Sequence, residues 1–295
     1  MTSENNFSKE KLLDHVTEIG RHALQAAYEV HQNLGVLGLE TVRRNEHGET
    51  ALKIDIEAEE AVIRILAKNK LSIILESEEH GLVRLGENPQ LFGTLDGLDG
   101  TAAYRKERGV GRYGTMLSIY NSTNPKYADY IFGGIMEHSS HRLYFASKGK
   151  GCWKVENRFS PQVLKCSIVD RLDSKTCRLH ADIPFDSIFG GNMMEKMVSK
   201  LQNFPITVLK SSAINYADLI DGKVEAVIEG TRKGNLEIAV AYSLVTEAGG
   251  VMVDIKGESL GSKFYLNYAQ KEHLPVISVC NTTVAKELIS LLNQK

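Results

Sequence analysis

Asp96 and Asp99 stand three residues apart in Leu95-Asp96-Gly97-Leu98-Asp99-Gly100-Thr101, directly after the apolar run 91–95. A second acidic knot, Glu76-Ser77-Glu78-Glu79, follows another apolar run, 71–75. Carboxylates this dense repel one another unless protons or a cation compensate them. A hard divalent cation is the guest that oxygen ligands suit. Two strand-like runs ending in carboxylates predict converging strand ends, the usual place for a site in an open α/β sheet. If a strand ends near Leu95 and a helix begins near Gly100, both aspartates point into the turn. The Leu98 carbonyl then adds an oxygen, and the Gly100 and Thr101 amides at a helix N-terminus offer phosphate donors. Magnesium takes a few carboxylates plus substrate phosphate and water, so one turn would supply both. The alternative for the isolated motif is a polar turn with capping aspartates. A calcium EF-hand does not fit: Glu107 falls at loop position twelve from Asp96, but Leu98, Gly100 and Thr101 occupy positions three, five and six.

The elements that must position these residues are read from apolar spacing. Leu12, Leu13, Val16, Ile19, Ala23, Leu24, Ala27 and Val30 recur with helical period, predicting an amphipathic helix over 9–34 ended by Gly35 and Gly38. An extended stretch over 50–54 leads to Asp55, which suits the start of a second helix marked by Ala58, Ala61, Val62, Ile65 and Leu66. Strands are expected over 115–120, 130–137, 142–146, 163–169, 178–181 and 224–228, with extended chain again over 251–254. Helices are expected over 191–202, from a cap at Ser212 to Ile220, and over 237–248 before Gly249-Gly250. Helices, a β-rich middle and a return to α/β alternation predict a layered α/β (α+β) protein. A soft boundary near 155–165 separates an N-terminal α+β half (1–160), carrying most of the acidic candidates, from a C-terminal α/β half (161–295); the two are expected to form one structural unit.

Composition narrows the function classes. The chain has 295 residues, 42% hydrophobic and 24% charged, with a net charge of -2. That near-balance carries no electrostatic footprint for nucleic acid or anionic membrane. Cys152, Cys166, Cys177 and Cys280 lack CxxC spacing and read as reduced thiols. The polar opening over 1–7 has no signal-peptide apolar region, so a cytoplasmic location is the expectation. The nine histidines show no HExxH-like spacing. Lys210, Arg232 and Lys233 flank the acidic candidates in sequence and either meet a second phosphate or form a solvated basic surface.

In order along residues 50–255, these pieces resemble the inositol monophosphatase family, in the wider superfamily with fructose-1,6-bisphosphatases and phosphoadenosine phosphatases. Glu78-Glu79 resembles its Glu-Glu pair and residues 96–101 its DPIDGT motif. Leu236-Glu237-Ile238-Ala239 with Val245–Gly250 resembles its WDVA…EAGG segment, Ser211-Ser212-Ala213 its GSAA stretch, and Asp55 its aspartate before the second helix. The resemblance implies an αβαβα sandwich, commonly a homodimer, and a phosphomonoester hydrolase using two or three Mg2+ ions with possible lithium inhibition. By the same resemblance Glu78, Asp96 and the Leu98 carbonyl would hold one ion, and Asp96, Asp99 and Glu237 a second. A third, weaker ion would lie near Glu78. Thr101 with Asp55 or Glu78 would orient the attacking water, and the Gly100 and Thr101 amides would bind phosphate. Ser212, Lys210 and Arg232 are substrate-side candidates. The implied substrate is an inositol phosphate or sugar phosphate, with fructose 1,6-bisphosphate and then a nucleotide 3'-phosphate as alternatives. Three departures stand out: Gly97 replaces a proline, which would loosen the turn; Leu236-Glu237 replaces Trp-Asp; and 44–50 lacks the family's lysine-containing segment. These departures leave open a non-catalytic relative acting as a binding module.

Overall fold

The computed structural model describes residues 2–44, 50–157, 160–182, 196–197, 199–230, 235–270 and 274–294, giving only the backbone course for 2–9 and 44. The first helix, α1 (Thr2–Leu34), is longer than its apolar pattern predicts. Its stripe of Val16, Ile19, Ala23, Leu24 and Ala27 is buried, each branched side chain contributing roughly 1.5–3 kcal/mol on leaving water. A β1 (Thr41–Arg44) and β2 (Thr50–Leu52) ribbon leads into α2 (Lys53–Lys68), whose buried face is Ile54, Asp55, Ala58, Glu59, Ala61, Val62 and Leu66. Two of those seven are carboxylates, Asp55 and Glu59, one helical turn apart.

An eight-stranded sheet carries β3 (Ile73–Ser77), β4 (Gly81–Leu85), β5 (Leu91–Asp99), β6 (Gly114–Tyr120), β7 (Tyr130–Glu137), β8 (Arg142–Ser147), β9 (Gly151–Glu156) and β10 (Gln162–Leu164), in the order β10-β9-β8-β7-β6-β5-β3-β4. Every pairing in it is antiparallel except β3 with β5, which run parallel and bring both acidic knots to the same sheet end. A short α3 (Thr101–Glu107) follows β5. The second sheet holds β11 (Leu179–Asp182), β12 (Ile206–Val208), β13 (Ala226–Gly230), β14 (Val251–Asp254) and β15 (Pro275–Val279) in the order β12-β11-β13-β15-β14. It is accompanied by α4 (Ser212–Ile220), α5 (Leu236–Glu247) and α6 (Thr282–Leu292). The layers run α1 and α2, sheet, α4 and α5, sheet, α6: the αβαβα arrangement. One buried cluster spans from Phe92 and Tyr120 through Ala217 and Val240 to Val276 and Leu288, so α4 and α5 are sealed between the sheets. This explains why α5 is apolar nearly all round.

Several expectations shift. The chain over 163–169 is strand only through Leu164, the strand expected at 224–228 lies at Ala226–Gly230, and the cap of α4 is Ser211 rather than Ser212. Of the helix expected over 191–202, residues 191–195 lie outside the described residues; 196–197 and 199–200 are helical. The largest difference concerns β5. It does not stop at Leu95 but continues to Asp99, buried throughout.

Candidate active site

Strand alternation decides where the first aspartate points. Leu91 and Leu95 pack in the cluster under α1 and α2, while Phe92 belongs to the cluster beneath α5. Successive strand side chains face opposite sides, so Asp96 shares the α5 side with Phe92 and Thr94. The Thr94 hydroxyl accordingly donates to the Leu236 carbonyl at 3.2 Å, at the start of α5. Beyond Asp96 the register breaks. Asp96 pairs with Met116 and Asp99 with Gly114, so Gly97 and Leu98 oppose the single residue Thr115. This bulge turns the strand end and lets Asp99 meet the same space as Asp96.

Local hydrogen bonds hold the bulge. Asp96 Oδ1 accepts from the Leu98 amide at 2.8 Å, and the Thr101 hydroxyl donates to the Leu98 carbonyl at 3.0 Å. Gly100 adopts φ 89°, and a Cβ there would crowd Ser211 and Tyr113 at 3.1 Å, so both backbone and space require glycine. Gly97 is the position where a proline was expected and a looser turn anticipated. Space adds a second reason for glycine: a Cβ at 97 would overlap the Asp55 carbonyl oxygen and lie 2.7 Å from Glu59 Cγ. Glycine here permits α2 to touch the strand.

Oxygens of Asp96, Asp99 and Glu237 lie within 4.8 Å of one another, drawn from the start of the bulge, its end and the first turn of α5. Asp99 is fixed by α4: its Oδ2 accepts from Ser211 Oγ at 2.5 Å and from the Ala213 amide at 2.8 Å. Glu237 enters α5 behind Asn235, which sits at φ 50° and donates through Nδ2 to the Tyr268 carbonyl at 2.7 Å. Burial, then the charges of Glu78, Asp99, Glu237 and Glu59, push Asp96 well above the ordinary carboxylate range. Three hard oxygen donors around a desolvated aspartate are what a divalent cation of the magnesium class fits. Glu78 is not in this triad, but it is the leading charge on Asp96, and its amide donates to the Leu95 carbonyl at 3.1 Å.

Asp55 lies at the third position of α2 and is buried. Its Oδ2 accepts from the Leu52 amide at 2.7 Å, while its buried Oδ1 has no hydrogen-bond partner among the described residues. Burial, against the Leu52 hydrogen bond and with Glu79 and Glu59 adding to it, pushes Asp55 up to about 7. Glu59 is a residue the sequence reasoning missed. Fully buried, it accepts from the Ser77 hydroxyl and, through Oε2, from the Glu79 amide at 3.1 Å; His80 Nδ1 lies 2.7 Å away. It therefore braces the turn that presents Glu78. Its signal was available: a carboxylate four residues after Asp55 on an otherwise apolar helical face. Among the substrate-side candidates, the buried Ser212 donates to Glu229, Lys210 is exposed just before α4, and Arg232 lies outside the described residues.

The model of the inositol monophosphatase family matches residues 10–293. The chain belongs to the inositol monophosphatase family. It is a phosphatase of that family. A fructose-1,6-bisphosphatase/inositol-1-monophosphatase of Thermococcus kodakarensis is 22% identical over 260 residues, 87% of this chain and 88% of that protein. A bifunctional NADP phosphatase/NAD kinase of Methanococcus maripaludis is 25% identical over 241 residues; the match covers 77% of this chain but only 41% of that protein. Among solved structures, the extragenic suppressor protein SuhB of Bartonella henselae superposes with a TM-score of 0.75 at 18% identity, covering 94% of this chain and 98% of that one. The Thermotoga maritima IMPase gives 0.69 at 18% identity, covering 92% and 96%. At these identities the inositol monophosphatase relatives share the fold, while the roles of individual residues rest on this chain's own geometry.

Proposed function

We propose that this inositol monophosphatase family member is a magnesium-dependent phosphomonoesterase that releases phosphate from an inositol phosphate or sugar phosphate by attack of an activated water. The observation that carries the reading is the Asp96, Asp99 and Glu237 triad, three carboxylates from the end of β5 and the start of α5 within 4.8 Å. With Glu78 and the Leu98 carbonyl they form the proposed holder of two or three Mg2+ ions. Bound there, the metal supplies Lewis-acid charge for the phosphoryl oxygens and the leaving alkoxide. The chain's own groups do the rest. Asp55, buried and with its Oδ1 lacking a hydrogen-bond partner among the described residues, is assigned to take a proton from water. Thr101, anchored to the Leu98 carbonyl, orients that water with Asp55 or Glu78, and the amides of Gly100 and Thr101 at the start of α3 receive the phosphoryl group. Ser212, Lys210 and Arg232 are assigned to the substrate side.

The names of the relatives support two further substrates. A sugar bisphosphate ranks second, through the Thermococcus protein, and a nucleotide phosphate third, through the Methanococcus protein. The test is phosphate release from inositol 1-phosphate, fructose 1,6-bisphosphate and NADP, each with and without Mg2+. Metal-dependent turnover of the first or second is expected. No turnover of any despite measured metal binding overturns the reading. No described helix is long and apolar enough to cross a membrane. Cytoplasmic residence and a homodimer belong to the proposal, the latter checked by sedimentation.

A further inference from the structure

The bulge in β5 leaves one peptide that the sheet does not hold, because Gly97 and Leu98 share Thr115 as their only opposite residue. The carbonyl of that peptide, Gly97 O, accepts from the Thr115 hydroxyl at 2.7 Å. Its N–H, on Leu98, donates to Asp96 Oδ1 at 2.8 Å. One peptide plane is thus clamped between a β6 hydroxyl and a proposed metal ligand. Turning the plane about its chain axis would pull the Leu98 N–H off Asp96 and free that carboxylate to rotate. Glycine at 97 offers little resistance to such a turn.

Thr115 is itself held. His138, in the residue after β7, places Nε2 2.9 Å from Thr115 Oγ1, and both side chains are fully buried. Gly97 O can only accept, so the threonine proton is committed to it. Thr115 Oγ1 must then accept from His138, which requires the hydrogen on Nε2 and leaves Nδ1 bare. His138 Nδ1 indeed has no hydrogen-bond partner among the described residues. The ring is fixed by stacking on His31, with centroids 4.7 Å apart and planes within 12°, and by the Tyr28 ring 6.2 Å away. His31 in turn lies 3.1 Å through Nε2 from the Tyr113 hydroxyl. Burial keeps the imidazole neutral.

We propose that Thr115 and His138 are positioning residues: a directional relay, His138 Nε2–H to Thr115 Oγ1–H to Gly97 O, sets the Gly97–Leu98 peptide and through its N–H the Asp96 carboxylate for the metal. The inference rests on the metal-centre reading above. It explains how a turn with glycine at its pivot keeps a defined ligand geometry. Partners behind a metal ligand are commonly worth about 10–100-fold in metal affinity, and the relay is assigned an effect of that order.

The test measures Mn2+ binding by electron paramagnetic resonance on substrate-free protein, alongside the Mg2+ concentration needed for half-maximal turnover. Thr115→Val, which removes the hydroxyl at constant shape, should weaken Mn2+ binding by about tenfold or more with an unchanged circular dichroism spectrum. Thr115→Ser should restore binding. His138→Leu should weaken it, and His138→Gln, which keeps an N–H donor, should restore most of it. A wild-type protein that binds no Mn2+ overturns the metal-centre reading and the proposal with it. Wild-type binding matched by Thr115→Val overturns the relay alone. If the valine variant fails to fold, 15N imidazole shifts of the wild type still decide: neutral His138 with hydrogen on Nε2 is expected, and hydrogen on Nδ1 sinks the proposal.

Discussion

Two clusters of buried carboxylates sit in this molecule and they are charged in opposite ways. At the end of β5, Asp96 has Glu78, Asp99, Glu237 and Glu59 as its leading electrostatic neighbours, and all of them act with burial to raise it. Two strands over at the same sheet end, where Gly114 pairs with both Asp99 and Glu137, Arg112 bridges Glu137 and Asp218, with contacts of 2.7 Å to each. Lys223 adds a 3.0 Å contact to Asp218 and a 3.1 Å contact to Asp221, which also meets Lys154 at 2.8 Å. Burial acts to raise Asp218, but the hydrogen bond and charge of Arg112, with Lys223, outweigh it and hold the group below its usual value. The second cluster carries its cations within the chain and ties β6 and β7 to α4. The first accumulates like charge on three elements, which costs stability until a cation or protons relieve it. A site that destabilises its own fold is a site kept for a ligand; one that is internally balanced is a structural joint.

The largest expected effect breaks the first cluster. Asp96→Asn should cut metal-dependent phosphate release by at least about 100-fold, the upper end for removing a mere partner of a metal ligand. The same change should stabilise the metal-free protein at neutral pH, because burial and the neighbouring like charges raise Asp96 and the amide removes that repulsion. Phosphate assays and urea unfolding check the two halves, and a destabilised apo variant would contradict the contrast.

The pH dependence of the metal-free protein comes next. Burial pushes Asp55 up to about 7 in the folded chain, against the ordinary 3.8 of the unfolded one. Between these values the folded state holds the extra proton, so stability is greatest below the lower value and falls as pH rises toward 7. The loss should be about 4 kcal/mol, at about 1.4 kcal/mol per unit from 3.8 to about 7, and Asp55→Asn should flatten it. Asp218 runs the other way: its contribution is present above the unfolded value and is lost as pH falls through its depressed one. Urea midpoints from about pH 2 to 8 distinguish the two, Asp218 below and Asp55 above the ordinary carboxylate value.

Breaking the balanced cluster should cost less and act differently. Arg112→Met leaves Glu137 and Asp218 without their bridging cation and should destabilise by about 2–3 kcal/mol, below the full cost for a buried pair because Arg112 is 34% exposed. Turnover per folded molecule should be nearly unchanged. The smallest effect sharpens the comparison: Mg2+ at ten times its dissociation constant should stabilise the wild type by about 1.4 kcal/mol and leave Asp96→Asn almost unmoved. Thermal melts with and without Mg2+ measure this.

The contrast also marks what was legible in the sequence. Asp96 and Asp99 could be named because acidic residues at the end of an apolar run are visible without coordinates, and Glu237 through the family resemblance of its segment. Only packing revealed the pairing of Asp218 with Arg112, 106 residues away. Glu59 and the Thr115–His138 pair were passed over because neither belongs to an acidic motif; their roles come from what lies behind the site. The end of β5 was placed too early since aspartate and glycine are poor strand residues, and their extended course here is imposed by β3 and β6 on either side.

By itself the sequence determined the periods of the helices and strands, the acidic residue types and the order in which they occur, because hydrophobic spacing and charge are properties of the chain. Tertiary structure alone decided which carboxylates share one space and which find an arginine. That depends on a bulge that turns β5, on α2 pressing against Gly97, and on α5 delivering Glu237 across the sheet from 138 residues beyond Asp99. Electrostatic energy is set by distance and burial, and neither is written in the spacing of residues along a chain.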